Sequence, residues 1–141
     1  MSGFSHTMTV SDNSSSILQK VRAAMVTVLV RSTEAIREEA VTLINTGPKT
    51  GRVYRRNGVV HRASAPGQSP AGDTGDLANK IATSVNASSL TGTVEFASGH
   101  AQHLEYGTRN MAPRPFARVA AAHKSVEIAK DAADEIGKAL K

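Results

Sequence analysis

The stretch "TGRVYRRNGVVHRASA", Thr50 to Ala65, holds two short β-prone runs, Val53-Tyr54 and Val59-Val60, on either side of Asn57-Gly58. Asn-Gly is the dipeptide best suited to positive φ at both central positions of a type I′ turn, so the stretch predicts a two-stranded hairpin. Its arms carry Arg52, Arg55, Arg56 and Arg62 outward, which makes it a protruding basic ribbon. Set between two helical patterns, this hairpin decides for a mixed fold.

Upstream, Ile17, Leu18, Val21, Met25, Val28, Leu29, Ser32, Ile36, Leu43 and Ile44 recur at steps of three and four, placing them along one helical face. Ser14 to Ser16 offer N-cap oxygens and Gly47-Pro48 ends the pattern, which predicts one helix of about eight turns. Arg31, Glu34, Arg37 and Glu38 fall on its wet side. Residues 1–13, small and polar at the start, read as a flexible arm, and 14–141 as a single domain.

Downstream, "APGQSPAGDTGDL" reads as a loop with no core of its own. Asp73 or Thr74 then caps a short helix along "GDLANKIATSV", with Leu77 and Ile81 on one side. "SLTGTVEFAS" reads as a strand, Gly92 marking a bulge and Ala82 to Ala87 a candidate hairpin partner. Gly99 to Tyr106 is a short helix or turn. From Pro115 the pattern is helical again, through Val119, Ala122, Val126, Ala129, Ala133, Ile136 and Leu140. Two amphipathic helices bracketing a β-rich middle predict an α+β fold, the helices packed on a small antiparallel sheet.

The 141 residues are 4% aromatic with no tryptophan and no cysteine. The core must therefore rest on small aliphatic residues, and disulfides, thiolate metal sites and cysteine nucleophiles are excluded together. The N-terminus lacks a basic region followed by an apolar run, and no apolar stretch is long enough to span a bilayer; a soluble, non-exported chain is expected. The net charge of +5 is concentrated between Gly47 and Gly72, where Lys49, Arg52, Arg55, Arg56 and Arg62 meet no acid. Such a segment meets phosphates, an acidic partner or solvent.

Catalytic constellations are sparse. His100 and His103 stand three apart near Glu105, but a metal site needs a third ligand that the spacing does not specify. Asp73 and Asp76 flank Thr74-Gly75 at a helix start, where capping is their ordinary role. Neither a Gly-x-Ser-x-Gly elbow nor a phosphate-binding Gly-x-x-x-x-Gly-Lys loop occurs. The expectation is no enzyme activity, no cofactor and no metal. Tyr54 is the single aromatic among the ribbon arginines, too few for single-strand stacking, so the alternative to an assembly role is nonspecific nucleic-acid binding.

"HLEYGTRNMAPRPF", His103 to Phe116, joins an acid, an aromatic, a glycine turn, two arginines and two prolines. Glu105 can pair with Arg109 or Arg114, Tyr106 offers a flat face with a polar tip, and Gly107 permits a sharp reversal. Two readings coexist: a turn that seats the last helix with Phe116 in the core, and a subunit contact surface. The candidate interface comprises Arg52, Tyr54, Arg55, Arg56, Arg62, Glu105, Tyr106, Arg109, Arg114 and Phe116.

The order of these motifs resembles a known family. Gly-Arg-x-Tyr at Gly51 to Tyr54, Ser-Ala-Pro-Gly at Ser64 to Gly67, Pro70, Thr-Gly-x-Leu at Thr74 to Leu77, Glu-Tyr-Gly-Thr at Glu105 to Thr108 and Arg-Pro-Phe at Arg114 to Phe116 resemble the phage head-tail connector and tail-completion (neck) proteins of the Hong Kong ninety-seven type. That family is distantly similar to lambda minor tail protein Z. The resemblance covers Gly51 to about Ala122; Asp76 departs from it, standing where the family usually carries Arg. It implies a structural virion protein of a long-tailed phage, made in the host cytoplasm and forming a homohexameric ring in the neck around the DNA channel. The ring would touch head-completion (stopper) proteins on one side and tail terminator or tail tube proteins on the other, with DNA passing through unread.

Overall fold

The computed structural model describes residues 7–141. The first six residues of the expected arm lie outside the described residues; residues 7–13 are exposed and without regular structure.

Helix α1 spans Ser14–Thr46, and its polar entry is held by Asp12, whose Oδ1 accepts the Ser14 N–H at 2.8 Å. The serines expected to cap it lie inside the helix instead; Asn13 occupies the cap position with no side-chain bond. At the other end Gly47 N–H donates to Leu43 O, and the Lys49 ammonium donates to Leu43 O at 2.9 Å and to Ser69 O at 2.8 Å. A cation against the last carbonyls complements the negative end of the helix dipole. Burial lowers the Lys49 pKa.

Strands β1 (Val53–Arg56) and β2 (Val59–Arg62) form the expected hairpin, Val53 opposite Arg62 and Arg56 opposite Val59. Asn57 and Gly58 have φ of 51° and 81°, the pair of positive values a type I′ turn requires. Helix α2 is a single turn, Asp76–Asn79, after which the chain enters β3 (Ile81–Asn86), paired antiparallel with β4 (Thr91–Phe96). The helix read through Val85 therefore stops early, and the hairpin-partner reading of Ala82 to Ala87 holds. Ile81, Thr83 and Val85 alternate inward, a two-residue period that a strand buries and a helix would scatter.

The β3–β4 register runs through Gly92 without a bulge. Gly92 serves a close approach instead: a Cβ there would lie 2.8 Å from Thr33 Cγ2 of α1. The sheet is thus pressed onto α1, where the Arg37 guanidinium donates to Ile81 O at 3.2 Å and Glu34 accepts from the Thr83 hydroxyl.

Helices α3 (Ala101–Tyr106) and α4 (Ala117–Ala139) complete the chain. α4 runs antiparallel to α1, since His123 meets Glu39 while Asp131 and Glu135 meet Arg31. Its rotation differs from the sequence pattern. Val126 and Leu140 are exposed, as are Ala122, Ala129 and Ala133. That stripe is mostly alanine and has little apolar area to withdraw from water. The row containing Ala120, Lys124, Ile128, Asp131 and Glu135 turns inward instead.

The core lies at the α1 C-terminal half, where Ala40 and Ile44 meet Ala78, Ile81, Ala101, Phe116 and Ala120. Four of these are alanines, and Phe116, fully buried and edge-on to Phe96 at 5.2 Å, is its largest member.

Candidate assembly interface

Cross-strand pairing sorts the hairpin side chains onto two faces. Tyr54 and His61 share the inner face with Arg56, and their rings stack at 5.5 Å. All three converge on Asp73: the Tyr54 hydroxyl donates to Oδ2 at 3.1 Å, Arg56 Nη1 to Oδ2 at 2.8 Å, and His61 Nε2 lies 3.3 Å from Oδ1. Asp73 is therefore the latch of the hairpin and makes no helix cap, which corrects that half of the expectation; Thr74, the other candidate, accepts the Asp76 N–H at 3.4 Å. The Arg56 hydrogen bond, against partial desolvation and helped by Tyr54, holds its carboxyl below the usual range. Desolvation and the adjacent carboxylate raise the Tyr54 pKa. Two candidate interface residues, Tyr54 and Arg56, are thus occupied within the chain.

The outer face carries Val53, Arg55, Val60 and Arg62. The valines are 47% and 58% exposed. Neither arginine, nor Arg52 at the hairpin root, has an ion pair among the described residues.

The second candidate patch is built differently. Glu105 is buried, and its Oε2 accepts the N–H groups of Phe116 at 2.8 Å and Ala117 at 3.0 Å. Its Oε1 accepts from Arg118 N–H at 3.1 Å and Arg118 Nε at 2.8 Å. The carboxylate closes the open N-terminus of α4, and its ionic partner is Arg118, not Arg109 or Arg114. Burial pushes its pKa up, but the Phe116 N–H, the Arg118 guanidinium and the two further backbone donors outweigh that and hold it low. Arg118 also stacks over the exposed Tyr106 ring at 5.2 Å. Sequence reading missed Arg118; the signal available was a basic residue three positions after Pro115, at the start of a helix.

Gly107 (φ 76°) makes the reversal, and a Cβ there would strike Met111 O at 2.7 Å. Thr108 and Met111 then close a turn that leaves Arg109 exposed with no ion pair among the described residues. Arg114 is half-buried, its backbone N–H bonded to Leu104 O and its Nη1 donating to the buried Ser64 Oγ at 3.1 Å. Phe116 lies wholly in the core, so it is not a contact residue.

The loop after the hairpin is packed on this turn. Ser64, Ser69 and Pro70 are buried, Gly67 N–H donates to Pro113 O at 3.0 Å, and Ser69 Oγ donates to Pro115 O at 3.2 Å. Gln68 ties the loop to itself through Thr50 N–H and Ala65 N–H. The expectation of a coreless loop is thereby corrected: proline and serine, neither large nor apolar in pattern, fill the space beside Phe116. Motifs some 45 residues apart in sequence meet here and brace the chain, leaving only Tyr106 and Arg109 of the second patch exposed.

His100 and His103 are exposed, and among the described residues no group of three His, Cys, Asp or Glu side chains is placed to hold a metal ion. Among the same residues no helix is long and apolar enough to cross a membrane. The chain matches no protein-family model, no curated protein and no solved structure.

Proposed function

We propose that this chain is a structural subunit of a long-tailed phage particle, assembling as a homohexameric ring in the neck, where it completes the tail and joins it to the head around the DNA channel. The motif order from Gly51 to Ala122 motivates the reading, and one structural observation supports it best. The hairpin stands out from the body with two bare valines and two uncompensated arginines on one face, although its other face is fastened by Asp73. A rigidly held, mixed apolar and basic surface with nothing on it is what a subunit offers to a partner. The alanine-rich core fits a fold that its neighbours complete. On this reading the protein works stoichiometrically, without cofactor or catalysis, and contacts head-completion proteins on one side and tail terminator or tube proteins on the other.

Sedimentation of the purified chain across a wide concentration range tests the ring. Six times the chain mass at high concentration supports it; a species closing at two subunits overturns it. The uncompensated Arg52, Arg55 and Arg62 also favour a second reading, nonspecific binding to nucleic acid. Random duplex bound tightly and with steep salt dependence by the free subunit would carry that reading.

A further inference from the structure

A second unfilled surface lies between α1 and α4. There Arg31, Ser32 and Ala35 face Glu127, Ile128, Lys130, Asp131 and Asp134 across a groove of ≈ 280 Å³, with Ala35 and Ile128 its apolar lining. The chain as a whole is basic, yet six of its twelve acids, Glu38, Glu39, Glu127, Asp131, Asp134 and Glu135, line or flank this strip. The bases along it are fewer: Lys124 is paired with Glu127, Arg31 with Asp131 and Glu135, and Lys138 also with Glu135, while Lys130 has no ion pair among the described residues and His123 meets Glu39. Asp134 and Glu38 have no ion pair among the described residues.

We propose that the outer face of the β1–β2 hairpin docks into the α1/α4 groove of a second copy of this chain. Charge decides the occupant: the hairpin face bears Arg55 and Arg62 with no acid, and the groove bears the chain's largest gathering of acids. Apolar chemistry agrees as well, since Val53 and Val60 stand between the arginines and Ile128 and Ala35 line the groove. The two surfaces do not meet within one subunit. The hairpin is latched by Asp73 beside the α1 C-terminus, where Gly72 N–H bonds Ile44 O, and the groove lies ~15 Å back along the α1 axis. Two different patches that fit one another between copies generate a head-to-tail contact, the kind that closes into rings.

This inference deepens the ring reading and rests on it for its biological setting, but it assigns the contact to new surfaces. The Glu105 to Phe116 turn, spent on seating α4, takes no part in this contact.

Because the chain has no cysteine, single cysteines test it directly. A Val60→Cys chain mixed with a Lys130→Cys chain, treated with a short thiol-specific crosslinker, should give crosslinked dimers, whereas Val60→Cys with Ser84→Cys should not. About 1 M salt, with a Debye length of ~3 Å, should suppress the product. Adding R55E/R62E to the first chain should reduce it roughly tenfold or more, and adding E127K/D134K to the second should restore it. The four substituted residues are exposed at the surface, and an unchanged circular dichroism spectrum verifies folding. Equal crosslinking to Ser84→Cys, absence of any product, or indifference to R55E/R62E overturns the docking. A ring of six that persists in R55E/R62E overturns this contact and leaves the ring reading intact. Crosslinking as expected in an assembly that closes at two subunits does the reverse.

Discussion

Glu105 illustrates how much of this fold hangs on one side chain. Four donors from the first turn of α4 converge on its carboxylate, so an anion sits where the helix dipole and the unsatisfied N–H groups both favour it. Glu105→Gln keeps the shape and removes the charge, and should cost about 1.5–3 kcal/mol, read as a lower urea midpoint. The pH dependence follows from the lowered folded-state pKa. The carboxylate contributes its stability above the ordinary value of 4.5, and that contribution is lost as pH falls through the lower folded value. The wild-type protein should therefore lose stability on acidification below about pH 4.5 more steeply than Glu105→Gln. Equal slopes would contradict the role. The sequence exposed Glu105 as special through its company but not its partner. The donors lie 11 to 13 residues away, and only the reversal at Gly107 brings them round.

At the scale of elements, the β1–β2 hairpin was legible because Asn-Gly dictates its turn, and α1 because its apolar steps persist to Gly47. The latch was not legible. Asp73 stands beside Thr74-Gly75 in a pattern that reads as a cap, and nothing local reports that Tyr54, Arg56 and His61 approach it from a strand pair. Asp73→Ala should speed amide exchange across residues 53–62 and leave the global unfolding midpoint nearly unchanged; equal loss of both would mean the hairpin is part of the core. Gly92 has the opposite character, a tight contact between sheet and helix. Gly92→Val should destabilise the fold by ~1–3 kcal/mol through overpacking against Thr33, measured by thermal unfolding. The rotation of α4 escaped the pattern for a physical reason. Alanines step at helical spacing on two of its faces, and the inward one is the row that buries Ala120 in the core and half-buries Ile128, with the ion pairs from Arg31 to Asp131 and Glu135 at its edge.

For the whole molecule, the α+β architecture followed from two helical patterns around a β-rich middle, whereas the division into two separate hairpins required knowing where α2 stops. A core with four alanines among seven buried residues gives the isolated subunit modest stability. Its melting temperature should then rise with protein concentration, and the rise should vanish in R55E/R62E; a concentration-independent value for the wild type would count against self-assembly. The place proposed for the ring is a phage neck. It is tested most directly by electron microscopy of a lysate from the phage or prophage with this coding sequence deleted. Full heads lying beside unjoined tails are the predicted result, and intact joined particles would contradict it.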